Sequence, residues 1–274
     1  MAERGQDRRA PGRAGRLPHG GRARLERDGD LGVLVLDDPP LNLFGREMVA
    51  DILAALDETD GVRALLVRAE GDYFTGGADV NVFDGLSEAD AERFVTDLMA
   101  ITHRIEDLPF PTLASVHGLC LTAGLELSLA CDMIWASESA QFGLVEAVVG
   151  LTPLMGGTQR MAERAGPARA RQFVMSAGLY DAATLDRWNV LNRVLPDRDI
   201  EAKSLRFAKR LAAGPTKAHV ATKRIVRAYL EHGVRGADER TAAIGAPLFE
   251  TEDLQGAVRS FLTEGPGKAK FTGR

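Results

Sequence analysis

Glu126 and Glu146 are the residues whose surroundings point most directly to chemistry. Each carboxylate follows a glycine-bearing, almost uncharged stretch that itself follows a strand-like run. The first lies in Val116-His117-Gly118-Leu119-Cys120-Leu121-Thr122-Ala123-Gly124-Leu125-Glu126-Leu127-Ser128-Leu129-Ala130-Cys131-Asp132, the second in Phe142-Gly143-Leu144-Val145-Glu146-Ala147-Val148-Val149-Gly150-Leu151-Thr152-Pro153. An ionised side chain in so apolar a neighbourhood is expensive to desolvate and needs either a buried partner or a task. A lone glutamate of this kind is more often an ion pair or a cap. Two of them facing one ligand supply the two halves of general acid–base catalysis, one taking a proton and the other giving one.

Reactions that develop negative charge also need donors, and two segments offer them. In Tyr73-Phe74-Thr75-Gly76-Gly77-Ala78-Asp79 the adjacent glycines let the backbone turn sharply and present N–H groups to an anion. Glycine pairs are mostly turns, so this segment gains weight only beside the next. Thr122-Ala123-Gly124 lies where a strand-like run gives way to an apolar helix, whose free N–H groups and dipole stabilise negative charge. Ala123 and Glu126 are three residues apart and share a helix face, so the carboxylate projects beside the spot that the Ala123 N–H addresses. Glu146 precedes the loop-forming segments Gly150-Leu151-Thr152-Pro153 and Gly156-Gly157-Thr158-Gln159-Arg160, which would set it opposite Glu126. His117, at a strand end, reads as structural more readily than as a base. No G-x-G-x-x-G follows the first strand and no G-K-[ST] occurs, so dinucleotide and P-loop chemistry are not indicated.

The elements that must position these groups alternate. Apolar, β-branched runs at 31–36, 62–67, 111–116 and 133–136 read as buried strands, the first stopped by Asp37-Asp38-Pro39-Pro40. Helical periodicity fills 48–56, 89–108 and the stretch carrying Glu126, and this alternation indicates an α/β architecture. Beyond about Pro196 strand signals cease, and 200–213, 216–231, 238–249 and 253–262 read as helices broken at glycine or proline. Terminal helices with apolar faces commonly pack on a neighbouring subunit, so an oligomer is expected.

At 274 residues, 45% hydrophobic and 27% charged, the chain has the composition of a globular protein with a sizeable core. No run approaches the roughly 18 apolar residues that span a bilayer. Its 2 cysteines, Cys120 and Cys131, are too few for a disulfide framework or metal cluster and read as buried thiols in a reducing, cytoplasmic setting. The net charge of -5 is uneven, because residues 1–24 carry a local +5 and leave the rest near -10. Such a body repels polyanions, so nucleic-acid binding would have to come from that arginine-rich tail. The tail reads as disordered, with a transit peptide as the lesser reading given its lack of serine. Three regions result: a tail at 1–24, a catalytic core at 25–196 and a helical oligomerisation region at 197–274.

Together these segments resemble the crotonase superfamily of enoyl-CoA hydratases and isomerases, from about Leu31 to Phe261. Pro40-Leu41-Asn42-Leu43 is similar to the family's early proline-to-asparagine turn. The stretch from Phe74 to Asp79 resembles its first oxyanion segment and that from His117 to Asp132 its second. Phe142 to Glu146 resembles the segment of its second acid, and Gly156 to Arg160 its glycine-glycine-threonine-glutamine-arginine signature. Arg187 to Val194 and the proline-to-lysine helix from Pro215 to Lys223 extend the likeness. The chain departs from the pattern at Thr122 and Ala123, where glycines are usual and where side chains would crowd a thioester. It departs also at His117, where asparagine is common, and at Asn189, a usual glycine position whose replacement tolerates left-handed backbone.

The resemblance implies a spiral of β-β-α turns followed by a helical trimerisation region, giving a homotrimer or a dimer of trimers. It implies an acyl-coenzyme A substrate and no separate cofactor. The thioester oxygen would sit between the N–H groups of Gly76 and Ala123, with Gly77, Ala78 and Asp79 lining the path to the coenzyme's adenine. Because both acidic positions are glutamates, it favours an enoyl-CoA hydratase of fatty-acid metabolism, a hydro-lyase in which Glu126 activates water and Glu146 donates a proton. A crotonase-fold isomerase or other acyl-CoA lyase is the alternative. A weakly catalytic or RNA-binding scaffold using the basic tail is the alternative of another class.

Overall fold

The computed structural model describes residues 21–274; the disordered-tail expectation for 1–20 lies outside the described residues. The α/β expectation holds. A six-stranded sheet runs in the order β1 (Ala23–Asp28), β2 (Leu31–Leu36), β3 (Ala64–Ala69), β4 (Thr112–Val116), β6 (Met133–Ser137) and β9 (Arg193–Leu195). β1 pairs antiparallel with β2, and the remaining pairings are parallel. A second, three-stranded sheet joins β5 (Leu119–Leu121), β7 (Gln141–Gly143) and β8 (Tyr180–Asp181). Between the strands run α1 (Arg46–Asp57), α2 (Glu88–Asp107), α3 (Thr122–Ala130), α4 (Gly157–Ala165), α5 (Pro167–Ser176) and α6 (Ala182–Arg187). After β9 come α7 (Ile200–Ala212), α8 (Thr216–Gly245) and α9 (Glu252–Glu264).

The large sheet is covered on both faces, which is why β2 reads as an unbroken apolar run in the sequence. Leu34 and Leu36 enter one core with Ile52, Ile101 and Phe142, while Leu31, Val33 and Val35 enter a second with Trp135. Side chains that alternate along a strand thus feed two different cores. The second core is sealed by Ile200, Ala208 and Ala212 of α7. α7 therefore belongs to the core, although it falls in the stretch 197–274 that the sequence reading assigned to assembly.

Two other boundaries shift. Strand β1 begins at Ala23, inside the stretch read as tail, because Ala23 and Leu25 turn inward while Arg24 and Glu26 pair outward with one another and with Asp37 and Arg68. Its charge concealed it. The helices expected at 216–231 and 238–249 are broken at a glycine as expected, but they nearly meet: within α8 the break is the single residue Gly233, whose φ of 69° and ψ of -178° are not helical.

Candidate active site

The site is assembled where the small sheet meets α3, by a backbone clamp. Asn42, with φ of 50°, donates from its side-chain amide to the carbonyls of Glu70 and Tyr73, both at 3.0 Å, and accepts the Asp38 N–H at 2.7 Å. The turn that follows β3 is thereby tied to Pro40-Leu41-Asn42-Leu43. Phe74 N–H then donates to the His117 carbonyl at 3.1 Å, and Thr75 N–H to the Leu119 carbonyl at 2.9 Å. Gly118, with φ of 59°, admits the Asp72 carbonyl to within 2.2 Å of where a Cβ would stand, so no other residue fits there. The His117 ring bonds the Gly71 carbonyl at 3.0 Å, in keeping with a structural histidine.

This clamp settles which backbone donors are free. The Gly76 N–H, expected to hold a thioester oxygen, instead donates to the Leu41 carbonyl at 2.7 Å. Gly76 is therefore not available as an oxyanion donor. The same contact anchors the glycine pair to the proline-to-asparagine turn, a long-range pairing that sequence spacing does not disclose. Gly77 N–H is committed to Thr75 Oγ1 at 2.8 Å, and the Asp79 carboxylate caps the 3-10 turn Val80–Phe83 through Asn81 N–H at 3.1 Å. Of that segment only Ala78 lines the cavity beside the two glutamates, and its N–H meets Thr122 Oγ1 at 2.7 Å.

All nine residues of α3 are buried, and the helix has no side-chain cap. Helix geometry leaves its first N–H groups without acceptors inside the helix. Ala123 lines that cavity, and among the described residues its N–H meets no acceptor. Gly124 is obligatory for the approach of the clamp, since a Cβ there would lie 1.9 Å from Thr75 Cγ2. Thr122, just before Ala123, has φ of 43°. Left-handed backbone at a β-branched residue costs about 1–3 kcal/mol, and such strain concentrates at functional sites.

Glu126 and Glu146 come together on the same cavity, of about 490 Å³. Glu126 is 3% exposed, and its Oε1 accepts the N–H groups of Met155 and Gly157, both at 2.8 Å. A Cβ on Gly157 would fall 2.7 Å from Glu126 Cγ, which explains the second glycine of Gly156-Gly157. Arg160 holds that loop: its Nη1 donates to the Gly156 carbonyl at 3.2 Å, while Nε and Nη2 form a fork on Glu106 at 2.8 and 2.5 Å. Glu146 opens the 3-10 turn Glu146–Val149 and is 8% exposed; its buried Oε2 has no hydrogen-bond partner among the described residues.

Burial dominates the electrostatics of both acids. It pushes Glu126 up to about 7, opposed by the Gly157 and Met155 N–H groups and the Arg160 charge. It pushes Glu146 up to about 7 as well, reinforced by the negative charge of Glu126. The two groups titrate as a pair. The two thiols lie buried, and burial raises both well above the ordinary cysteine range. Apart from Asp84 and Thr152 the remaining cavity wall is apolar, with Phe83 and Phe94 packed edge to face at 6.2 Å and Leu98, Leu151 and Leu154 beside them.

Paired acids and the start of a buried helix thus share one largely apolar chamber. Residues 26–274 match the model of the enoyl-CoA hydratase/isomerase family, and the chain belongs to that family. It is 30% identical to a probable enoyl-CoA hydratase of Rhizobium meliloti over 91% of this chain and 97% of that protein. It is 28% identical to a crotonyl-CoA hydratase of Syntrophomonas wolfei, over 90% and 96%. Among solved structures, a putative enoyl-CoA hydratase from Streptomyces coelicolor superposes with a TM-score of 0.87 at 27% identity, covering 97% of this chain and all of that one (100%). The fold is the crotonase fold.

Proposed function

We propose that the protein hydrates a trans-2-enoyl-CoA to a 3-hydroxyacyl-CoA. The observation that carries this reading is the pair of buried glutamates, both pushed up to about 7, on one cavity that Ala123 at the start of α3 also lines. A carboxyl poised near the working pH can both take and give a proton. The asymmetry between the two supports a division of labour. Glu126 has two backbone donors and a nearby guanidinium favouring its carboxylate, whereas Glu146 has its own backbone N–H alone on that side, against a repelling neighbour, and one unpartnered oxygen. Glu126 is thus the base and Glu146 the acid.

In this mechanism Glu126 removes a proton from water as the water oxygen bonds to C3. The π electrons move toward the thioester, whose oxygen gains negative charge, and C2 then takes the proton of Glu146. Glu126 is left protonated and Glu146 ionised, and one proton passing from Glu126 to Glu146 restores the pair. The Ala123 N–H stabilises the charged oxygen, and preorganised donors of this kind are worth about 3 kcal/mol each. No separate cofactor enters, coenzyme A being part of the substrate. The apolar wall from Phe83 to Leu154 takes the acyl chain, and assembly through α8 and α9 belongs to the same reading.

The test is a panel of trans-2-enoyl-CoA thioesters of graded chain length, followed by loss of the conjugated-enoyl absorbance. Turnover with at least one member is expected. Migration of the double bond without water addition would replace the hydratase by the isomerase reading.

A further inference from the structure

Thr122 stands out because three observations meet on it. Its backbone is left-handed, with φ of 43°, at a β-branched residue. Its hydroxyl accepts the Ala78 N–H at 2.7 Å, the one donor of the 75–79 turn that belongs to a cavity-lining residue. That hydroxyl is pressed so closely against the turn that a Cβ on Gly77 would lie 2.2 Å from it. The oxygen is wedged at the Gly77–Ala78 backbone, and Thr122, 7% exposed, does not line the cavity that Ala78 and Ala123 share. It is placed to occupy a donor and not to offer its own proton to a ligand.

We infer that the Thr122 hydroxyl is a displaceable mask on the Ala78 N–H, so that an acyl oxygen gains its second backbone donor only by displacing a side chain of the protein. This rests on the acyl-CoA reading of the site. Unmasked, Ala78 and Ala123 would address one oxygen from the turn and from the start of α3. Masked, the cavity offers the Ala123 N–H alone. A neutral thioester carbonyl gains little by exchanging places with a hydroxyl, since one neutral hydrogen bond replaces another. An oxygen carrying negative charge makes a bond about twice as strong and displaces the hydroxyl far more readily. Thr122 thereby becomes a positioning residue that weakens ground-state acyl binding and tempers the rate, and the strained backbone keeps its hydroxyl on Ala78.

Two probes separate this role from a structural one. Acetoacetyl-CoA presents an acyl oxygen readily held as an enolate, and coenzyme A presents none. Titrated against the whole protein, Thr122→Ala is expected to bind acetoacetyl-CoA about tenfold more tightly, the scale of one net hydrogen bond, with coenzyme A affinity unchanged. Thr122→Ser restores the parental affinity by restoring the hydroxyl. If the alanine variant is poorly folded by circular dichroism, Thr122→Gly, which also relieves the left-handed backbone, is expected to show the same selective gain. Unchanged or weaker acetoacetyl-CoA binding in a well-folded Thr122→Ala or Thr122→Gly protein overturns the mask. Enoyl-CoA hydration without the selective gain removes the mask and leaves the hydratase reading standing. The selective gain without any hydration does the reverse, and failure of every form to bind either probe overturns both.

Discussion

α3 and α8 are the most instructive pair of elements in the molecule. All nine residues of α3 are buried, a glutamate among them, whereas only Ala221, Ala228 and Ala237 are buried in the 30 residues of α8. The contacts that orient Glu126 come from within the chain: Met155, Gly157, Arg160 and, through Arg160, Glu106. α8 meets the core through polar contacts such as Lys223 Nζ to Asp132 at 3.0 Å, and leaves Tyr229, Leu230 and Val234 exposed, as α9 leaves Phe261 and Leu262. The difference separates a region whose geometry is complete in one chain from a region that leaves apolar surface exposed, the surface on which the proposed assembly would form.

The largest effects should come from the completed region. Glu126→Gln and Glu146→Gln should each lower hydration by at least about a hundredfold, the scale of general acid–base catalysis, with circular dichroism unchanged. The double variant should lose less than the product of the two, because both groups act on one reaction coordinate. Near-parental turnover in either single variant would remove the paired-acid mechanism.

Next in size is Ala123→Pro. The first helical turn tolerates the ring, but the missing N–H deletes an oxyanion donor, so turnover should fall roughly 10² to 10³-fold with acyl-CoA affinity less affected. Proline also restricts Thr122 before it, so oligomer size and circular dichroism must match the parent for the comparison to count.

The burial of the two acids carries a pH signature. Both are raised from 4.5 to about 7, so the folded protein holds these protons more tightly than the unfolded chain does. Neither group penalises folding below about pH 4.5; the penalty grows as pH rises toward 7 and is complete above it. Glu146→Gln should therefore raise the melting temperature at pH 8 by more than at pH 5, with about 2 kcal/mol as the order of the difference. The activity profile should be bell-shaped around pH 7, since one carboxyl must be ionised while the other is protonated. Equal stabilisation at both pH values would show that Glu146 is not buried as an acid.

For the unfinished region, sedimentation at micromolar concentration should find an oligomer, and Leu230→Glu combined with Val234→Glu should shift it toward monomer without changing helix content. A monomeric parent protein would end the assembly proposal. The smallest effect belongs to Ala123→Gly: its N–H and not its methyl faces the acyl oxygen, so turnover should stay within a few-fold of the parent.

The sequence by itself determined the strands that are apolar throughout, the amphipathic helices and the two carboxylates, because these depend on local periodicity and on a charge standing in an apolar run. Glu126 and Ala123 were legible as a pair because three residues along a helix return to one face. Cys120 and Cys131 were legible as buried for the same local reason, and Asn189 as left-handed, with φ of 63°. Strand β1 was not, since four of its six side chains are charged and its place depends on pairing with β2. Nor was the second sheet, whose strands of two or three residues exist only because of their neighbours. Which N–H is free was decided by tertiary structure alone. Gly76 and Ala78 lie two residues apart in one glycine-rich turn, yet the first is closed by Leu41, far earlier in the chain, and the second by the hydroxyl of Thr122, far later. A donor's availability is a property of the acceptor brought to it, and only the folded chain brings one.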